Sequence, residues 1–149
     1  MTQYRIFAAM IATSTVVMLL LMYLNTYAID HIYWSETRFY MALMMGATMA
    51  TIMLAFMLGM YKSKKKNIAI FATSFVVFAA ALYLVRSQQT VQDVSWMKAM
   101  IPHHSIAILT SERAEISDPR VRELADAIIA TQKKEIAEMK TLIADLENK

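Results

Sequence analysis

Apolar residues follow two different patterns along this chain. Through residues 6–24, 39–61 and 68–85 they run almost unbroken, and none of these stretches holds a charged side chain. From residue 93 onward they recur every three or four positions instead. An unbroken run suits a helix surrounded by lipid, whereas a three-to-four spacing suits a helix with one buried stripe. At about 1.5 Å per residue the three runs reach roughly 27–35 Å, against a hydrocarbon core of about 30 Å. The pattern predicts an all-α protein, with three transmembrane helices in residues 1–86 and a helical hairpin in residues 87–149.

The hairpin has its own punctuation. Residues 87–92 are a polar link. A first helix is expected from Asp93 to Ile116 and a second from Pro119 to Asn148. Between them lies Ser117-Asp118-Pro119, where Ser or Asp can cap and Pro suits the first helical position. Val121, Leu124, Ala125, Ile128, Ile129, Ile136, Met139, Leu142, Ile143 and Leu146 form the apolar stripe of the second helix. Across so short a turn the helices run antiparallel. Folding about Ser117 and Asp118 then sets His103 opposite Gln132, Met100 opposite Glu135 and Met97 near Met139.

Composition sharpens this picture. The chain is 58% hydrophobic and has only 2 Gly and 2 Pro, which favours helices over sheets and turns. It has no Cys, which excludes disulfides, thiolate metal sites and Cys nucleophiles. The net charge of +3 is unevenly spread. Residues 1–86 carry seven basic and two acidic side chains, and residues 87–149 carry eight basic and ten acidic ones. A nucleic-acid partner would want a basic soluble part, so none is expected.

Lys62, Lys64, Lys65 and Lys66 crowd the link between the second and third runs. Such a cluster stays on the cytoplasmic side. The N-terminus with Arg5 is then cytoplasmic too, and the loop Asn25–Arg38 and the hairpin lie outside, in a bacterial setting on the periplasmic face of the inner membrane. Binding of anionic lipid by the lysines is compatible with the same topology. Tyr33, Trp34 and Tyr61 fit interfacial belts. The first run could instead be read as a signal peptide, with Thr26-Tyr27-Ala28 as its cleavage site, but it exceeds the ~7–15 residues of a typical signal core. Without a charge inside any span, proton coupling or voltage sensing by these helices alone is disfavoured.

The second run holds Met41, Met44, Met45, Met49, Met53, Met57 and Met60. Read functionally, this is a thioether ladder for Cu(I). Read structurally, it is adaptable packing, since Met fills irregular gaps, and that reading is favoured. Gly46 and Ala50 form a small-xxx-small pair that permits close helix contact.

The densest candidate chemistry is the run Trp96-Met97-Lys98-Ala99-Met100-Ile101-Pro102-His103-His104. It holds two of the three His and two of the 14 Met. Thioether sulfur is soft and imidazole borderline, so Met97, Met100, His103 and His104 suit Cu(I) or Ag(I) better than Mg²⁺ or Ca²⁺. Met139 would join them across the hairpin, with Gln132 and Glu135 as supporting groups. Adjacent His103 and His104 diverge by about 100° around a helix, so one ion does not take both unless Pro102 distorts the backbone. The competing reading makes these histidines hydrogen-bonded structural residues, with Gln132 as a partner.

Met97, the core Met100-Ile101-Pro102-His103-His104, Ala107, Leu124-Ala125, Ile128, Gln132, Glu135-Ile136 and Met139 together resemble the CopM-like domain-of-unknown-function family. The resemblance covers roughly the last third of the chain and implies a ferritin-like helical fold. It also implies periplasmic copper binding through Met97, Met100, His103, His104 and Met139. Typical members have two such hairpins in a four-helix unit, whereas this chain has one on a membrane anchor. A homodimer or higher homo-oligomer would complete the bundle.

The expected function is that of a membrane-anchored binding protein for copper or a similar soft ion, which buffers it or passes it to metal-handling partner proteins. It is not expected to be an enzyme. The alternative is a non-catalytic oligomerisation or interaction module. A di-iron oxidase ranks last, because no Glu-x-x-His occurs in the chain.

Overall fold

A computed structural model describes residues 3–148, and the regular elements among those residues are all helices, with no strand. The elements are α1 (Gln3–Leu21), a 3-10 turn (Ile29–His31), α2 (Glu36–Phe56), α3 (Lys64–Ser87), α4 (Asp93–Arg113) and α5 (Pro119–Glu147). Helices α1, α2 and α3 have 19, 21 and 24 residues and are long and apolar enough to cross a membrane. Contacts divide the chain into two compact units. One comprises the chain up to Met22 with Thr37–Thr90, and the other comprises Tyr23–Glu36 with the chain from Val91 onward.

In the three-helix unit, close packing falls to small residues. The buried side of α2 is Ala42, Gly46, Ala47, Ala50 and Leu54. A Cβ added at Gly46 would collide with the Thr15 side chain on α1, so the helices approach there because glycine has none. The methionines of α2 flank this contact rather than forming it. Met44, Met45, Met49 and Met53 are half-buried and share an open groove with Met18 of α1. They are adaptable liners at the edge of the packing, not its centre.

Helix α2 stops at Phe56, five residues before its apolar run ends. The chain then turns, with the Met60 amide donating to the Met57 carbonyl at 2.9 Å. The turn delivers Tyr61 under Phe7 and Tyr4, with ring centroids 5.4 Å and 5.0 Å away. Burial of this aromatic cluster outweighs one more turn of helix. Ser63 caps α3 by accepting from the Lys66 amide.

In the second unit, α4 and α5 form the expected hairpin. Helix α4 ends at Arg113, three residues before the expected Ile116. Asp118 caps α5 by accepting from the Arg120 amide at 2.9 Å, and Pro119 opens the helix. The core is Met97, Ile101, Ile108, Ile136, Met139 and Ile143. The apolar stripe expected on α5 is wider than one partner helix can cover. Val121, Leu124, Leu142 and Leu146 are 41–60% exposed, because a single antiparallel neighbour shields only part of so broad a face.

Because Ile101 is fully enclosed between α4 and α5, Ile101→Ala should destabilise the hairpin by about 2–5 kcal/mol. Thermal unfolding of the detergent-solubilised chain followed by circular dichroism checks this, the expected outcome being a clearly lowered midpoint.

Candidate metal site

Helix α4 carries four of the candidate ligands, and its buried face runs Met97, Ile101, Ser105 and Ile108. The three-to-four spacing places Met97, Ile101 and Ile108 in the cluster shared with α5, while the Ser105 hydroxyl meets the loop between α1 and α2. Met97 and Met139 are about 5–6% exposed and lie in the same buried cluster. Met100 is half-buried and packs against that cluster. Three of the expected thioethers therefore gather at the hairpin interface.

His104 stands one turn further along α4. Its Nε2 meets the Glu135 carboxylate at 2.8 Å, and its Nδ1 lies 3.0 Å from the Met100 carbonyl. A carbonyl can only accept, so Nδ1 carries a proton and donates. A nitrogen must present a lone pair to coordinate a metal, so Nε2 would have to leave Glu135 first. As arranged, the ring bridges α4 to α5. The proline two residues earlier cannot donate to the Lys98 carbonyl, and that opens the ladder in the turn where the Met100 carbonyl lies. Helix α4 nonetheless continues through Pro102.

His103 points elsewhere. It is exposed, and its ring lies edge-on to that of His104 at a centroid distance of 6.1 Å. The expected pairing of His103 with Gln132 is not formed: among the described residues no hydrogen bond joins them. The expected pairing of Met100 with Glu135 is replaced by His104 with Glu135, a slip of one helical turn along α4. The extended segment after Arg113 lengthens the connection beyond the tight turn that the register assumed. No group of three or more His, Cys, Asp or Glu side chains is close enough to hold a metal among the described residues. What the hairpin offers is a mixed thioether and imidazole set, suited to soft ions.

The residue that sequence reasoning passed over is the third histidine. His31 lies on the loop between α1 and α2, and its Nδ1 is 2.9 Å from Ser105 Oγ. The same hydroxyl accepts from the Tyr27 amide at 2.7 Å. Around this pair the loop is stitched to the hairpin. Lys140 donates to Asp30 at 2.6 Å, Ser95 donates to Glu36 at 3.0 Å, and the Lys133 ammonium lies 5.5 Å from the Tyr27 ring centroid. The signal available in the sequence was topological: the loop and the hairpin were expected on one side of the membrane. Ser105, His31 and Asp30 are spaced like a serine triad, but Asp30 is 4.0 Å from the ring and Ser105 is fully buried. No substrate can reach that hydroxyl, so hydrolysis is not its role.

Burial holds the His31 pKa below its ordinary value near 6.5, helped by the Lys140 ammonium and opposed by Asp30. Asp30 itself lies below the usual carboxylate value, chiefly because Lys140 donates to it.

Comparison with known proteins adds two findings. Residues 80–149 match the family described as a domain of unknown function, DUF305. An uncharacterised protein of Acanthamoeba polyphaga mimivirus is 33% identical over 115 residues, or 74% of either chain. That alignment is longer than the family match, so the similarity also takes in part of the apolar helices. No solved structure matches.

The His31 environment has a definite pH consequence. With the folded pKa depressed, the released loop binds the proton better than the docked loop. Docking is thus most stable above about pH 6.5 and weakens as pH falls toward the lowered value. Hydrogen exchange at the Tyr27 amide, corrected for the intrinsic rate, should show less protection at about pH 5 than at about pH 7.5. Ser105→Ala should remove the protection at both.

Proposed function

The chain belongs to the DUF305 family, and we propose that it is a membrane-anchored, CopM-like binding protein for copper or a similar soft ion. Cu(I), or Ag(I) in its place, is the cargo, and the α4–α5 hairpin receives it. The observation that carries this reading is the presence of Met97 and Met139 in one buried cluster of the hairpin interface, with Met100 packed against it and His104 one turn beyond Met100. Thioethers select Cu(I) over harder ions, and the burial of Met97 and Met139 suits a dehydrated ion. His104 joins as a ligand when the ion displaces Glu135 from Nε2, and exposed His103 is placed to meet the incoming ion first. The protein buffers the ion or hands it to partner proteins and performs no reaction on it.

Topology supports an extracytoplasmic address. The 23–36 loop packs on the hairpin, which fits both lying on one side of the membrane. The lysine-rich link between α2 and α3 fits the opposite, cytoplasmic side. In this reading the protein resides in a bacterial inner membrane with its N-terminus inside, although the relative above is viral. Exposed Trp96, Leu142 and Leu146 around a groove at the open end of the hairpin fit a second copy that completes a four-helix bundle.

One observation favours the second reading, an interaction module with structural histidines. Both nitrogens of His104 already have partners, and a satisfied histidine bridging two helices needs no metal.

Cu(I) competition titration of the full chain in detergent separates the two. Replacing His103 and His104 together by Ala should weaken binding at least tenfold, about 1.4 kcal/mol. Glu135→Gln should leave Cu(I) affinity intact or raise it, because the substitution weakens the hold on Nε2. Unchanged affinity in the double variant, with helicity retained, returns both histidines to a structural role.

Orientation is tested separately. A reporter fused after Lys149 should be active only outside the cytoplasm. Activity confined to the cytoplasm would overturn the proposed sidedness.

A further inference from the structure

The only acidic residue on the three apolar helices is Glu36, the first residue of α2, which belongs to the other unit and accepts from Ser95, whereas the link from α2 into α3 carries Lys62, Lys64, Lys65 and Lys66. These four cations lie within five residues, and among the described residues none of the four lysines has an ion-pair partner. A charge cluster with no internal counter-ion, at the end of apolar helices, calls for anions from outside.

Beside the cluster lies a cleft of about 530 Å³, within the ~300–1,000 Å³ range of ligand pockets. Helices α1 and α3 form its walls, Ala50 of α2 contributes to it, and Lys66 is its sole charged lining residue. From Tyr4 to Ala12 on α1, and from Lys66 to Ser74 on α3, the lining spans nine residues, or eight helical steps. At 1.5 Å per residue that is about 12 Å, close to half of a ~30 Å hydrocarbon core. The cleft therefore starts at the lysine end and is about one leaflet deep.

Its mouth is built rather than loose. The Tyr4 hydroxyl donates to Asn67 Oδ1 at 2.8 Å and accepts from the Ser63 amide at 3.1 Å. Asn67 Nδ2 donates to the Tyr61 carbonyl at 2.8 Å. The Lys66 ammonium lies 4.9 Å from the Tyr4 ring centroid, which places the cation at the rim with its stem along the apolar wall.

We infer that this cleft is a binding site for an anionic phospholipid of the leaflet on the lysine side, with one acyl chain between α1 and α3 and the phosphate on Lys66. The inference rests on the charge imbalance and the shape of the cleft, and it is independent of metal binding by the hairpin. Zwitterionic lipid offers the same chains but no net charge to answer the cluster. Free phosphate offers the charge but nothing to fill the apolar wall.

Native mass spectrometry of the full chain, released from detergent with equal phosphatidylglycerol and phosphatidylcholine of matched chains, tests it. Phosphatidylglycerol should be retained preferentially. Lys66→Gln should lower its retention about fivefold, the effect of one basic residue near an anionic surface. Lys64→Gln, outside the cleft lining, should lower it less. Ala69→Phe should displace the lipid by filling the cleft, and Ala12→Leu serves the same purpose if the larger ring disturbs the helices by circular dichroism. Glycerol 3-phosphate at millimolar concentration should not compete. Equal retention of the two lipids, equal effects of Lys64→Gln and Lys66→Gln, persistence in both cleft-filling variants, or displacement by glycerol 3-phosphate would each overturn the proposal.

Discussion

Ser105 Oγ holds two groups from the same loop: it accepts from the Tyr27 amide and meets the His31 ring. Both contacts are short, and the hydroxyl is sealed from solvent. An unmet polar group at that position would cost about 1–3 kcal/mol, so the loop and the hairpin need each other. Two helices of about 60 residues make a marginal domain on their own. This protein adds cover from its own chain, borrowing the connection between α1 and α2 as a third layer. The ion pair from Lys140 to Asp30 and the bond from Ser95 to Glu36 extend that attachment along the loop, while Tyr33 packs against the hairpin core.

The candidate metal site is shaped by a contest over His104. The same imidazole can brace α4 against α5 through Glu135 or offer Nε2 to a soft ion, but it cannot do both at once. The thioethers face no such conflict. Met97 and Met139 pack in the hairpin core, and in the proposed function the same sulfurs would serve as ligands, since a thioether fills core space as readily as it coordinates. A hairpin core made this way does not depend on an ion to stay folded. The histidine–carboxylate pair is open to solvent on its Glu135 side, with side-chain exposure at 44%.

The three-helix unit solves a different problem. In lipid there is no hydrophobic gain from bringing helices together, so association depends on close approach and on polar contacts at the ends. Gly46 against Thr15 supplies the approach. Tyr4, Ser63, Asn67 and Tyr61 supply the polar contacts at the lysine end. The methionines that look like a ladder in the sequence sit beside this contact. Their four-residue steps drift around a 3.6-residue helix, so they cannot all share the narrow face that meets α1.

Patterning alone determined the number of helices, their order, the hairpin turn and most of its buried stripe. These follow from local periodicity and from residues such as Asp118 and Pro119, whose preferences act over one turn of chain. The clustering of Met97, Met100 and Met139 was legible for the same reason, because antiparallel helices joined by a short link have few registers available. Tertiary structure decided what depends on contacts distant in sequence. It chose Glu135 for His104 rather than for Met100, since a few extra residues in the connection shift the register by a whole turn. It also brought His31 to Ser105, 74 positions away. No local rule encodes that contact, because it exists only once a loop between two apolar helices is packed against a hairpin that follows the third.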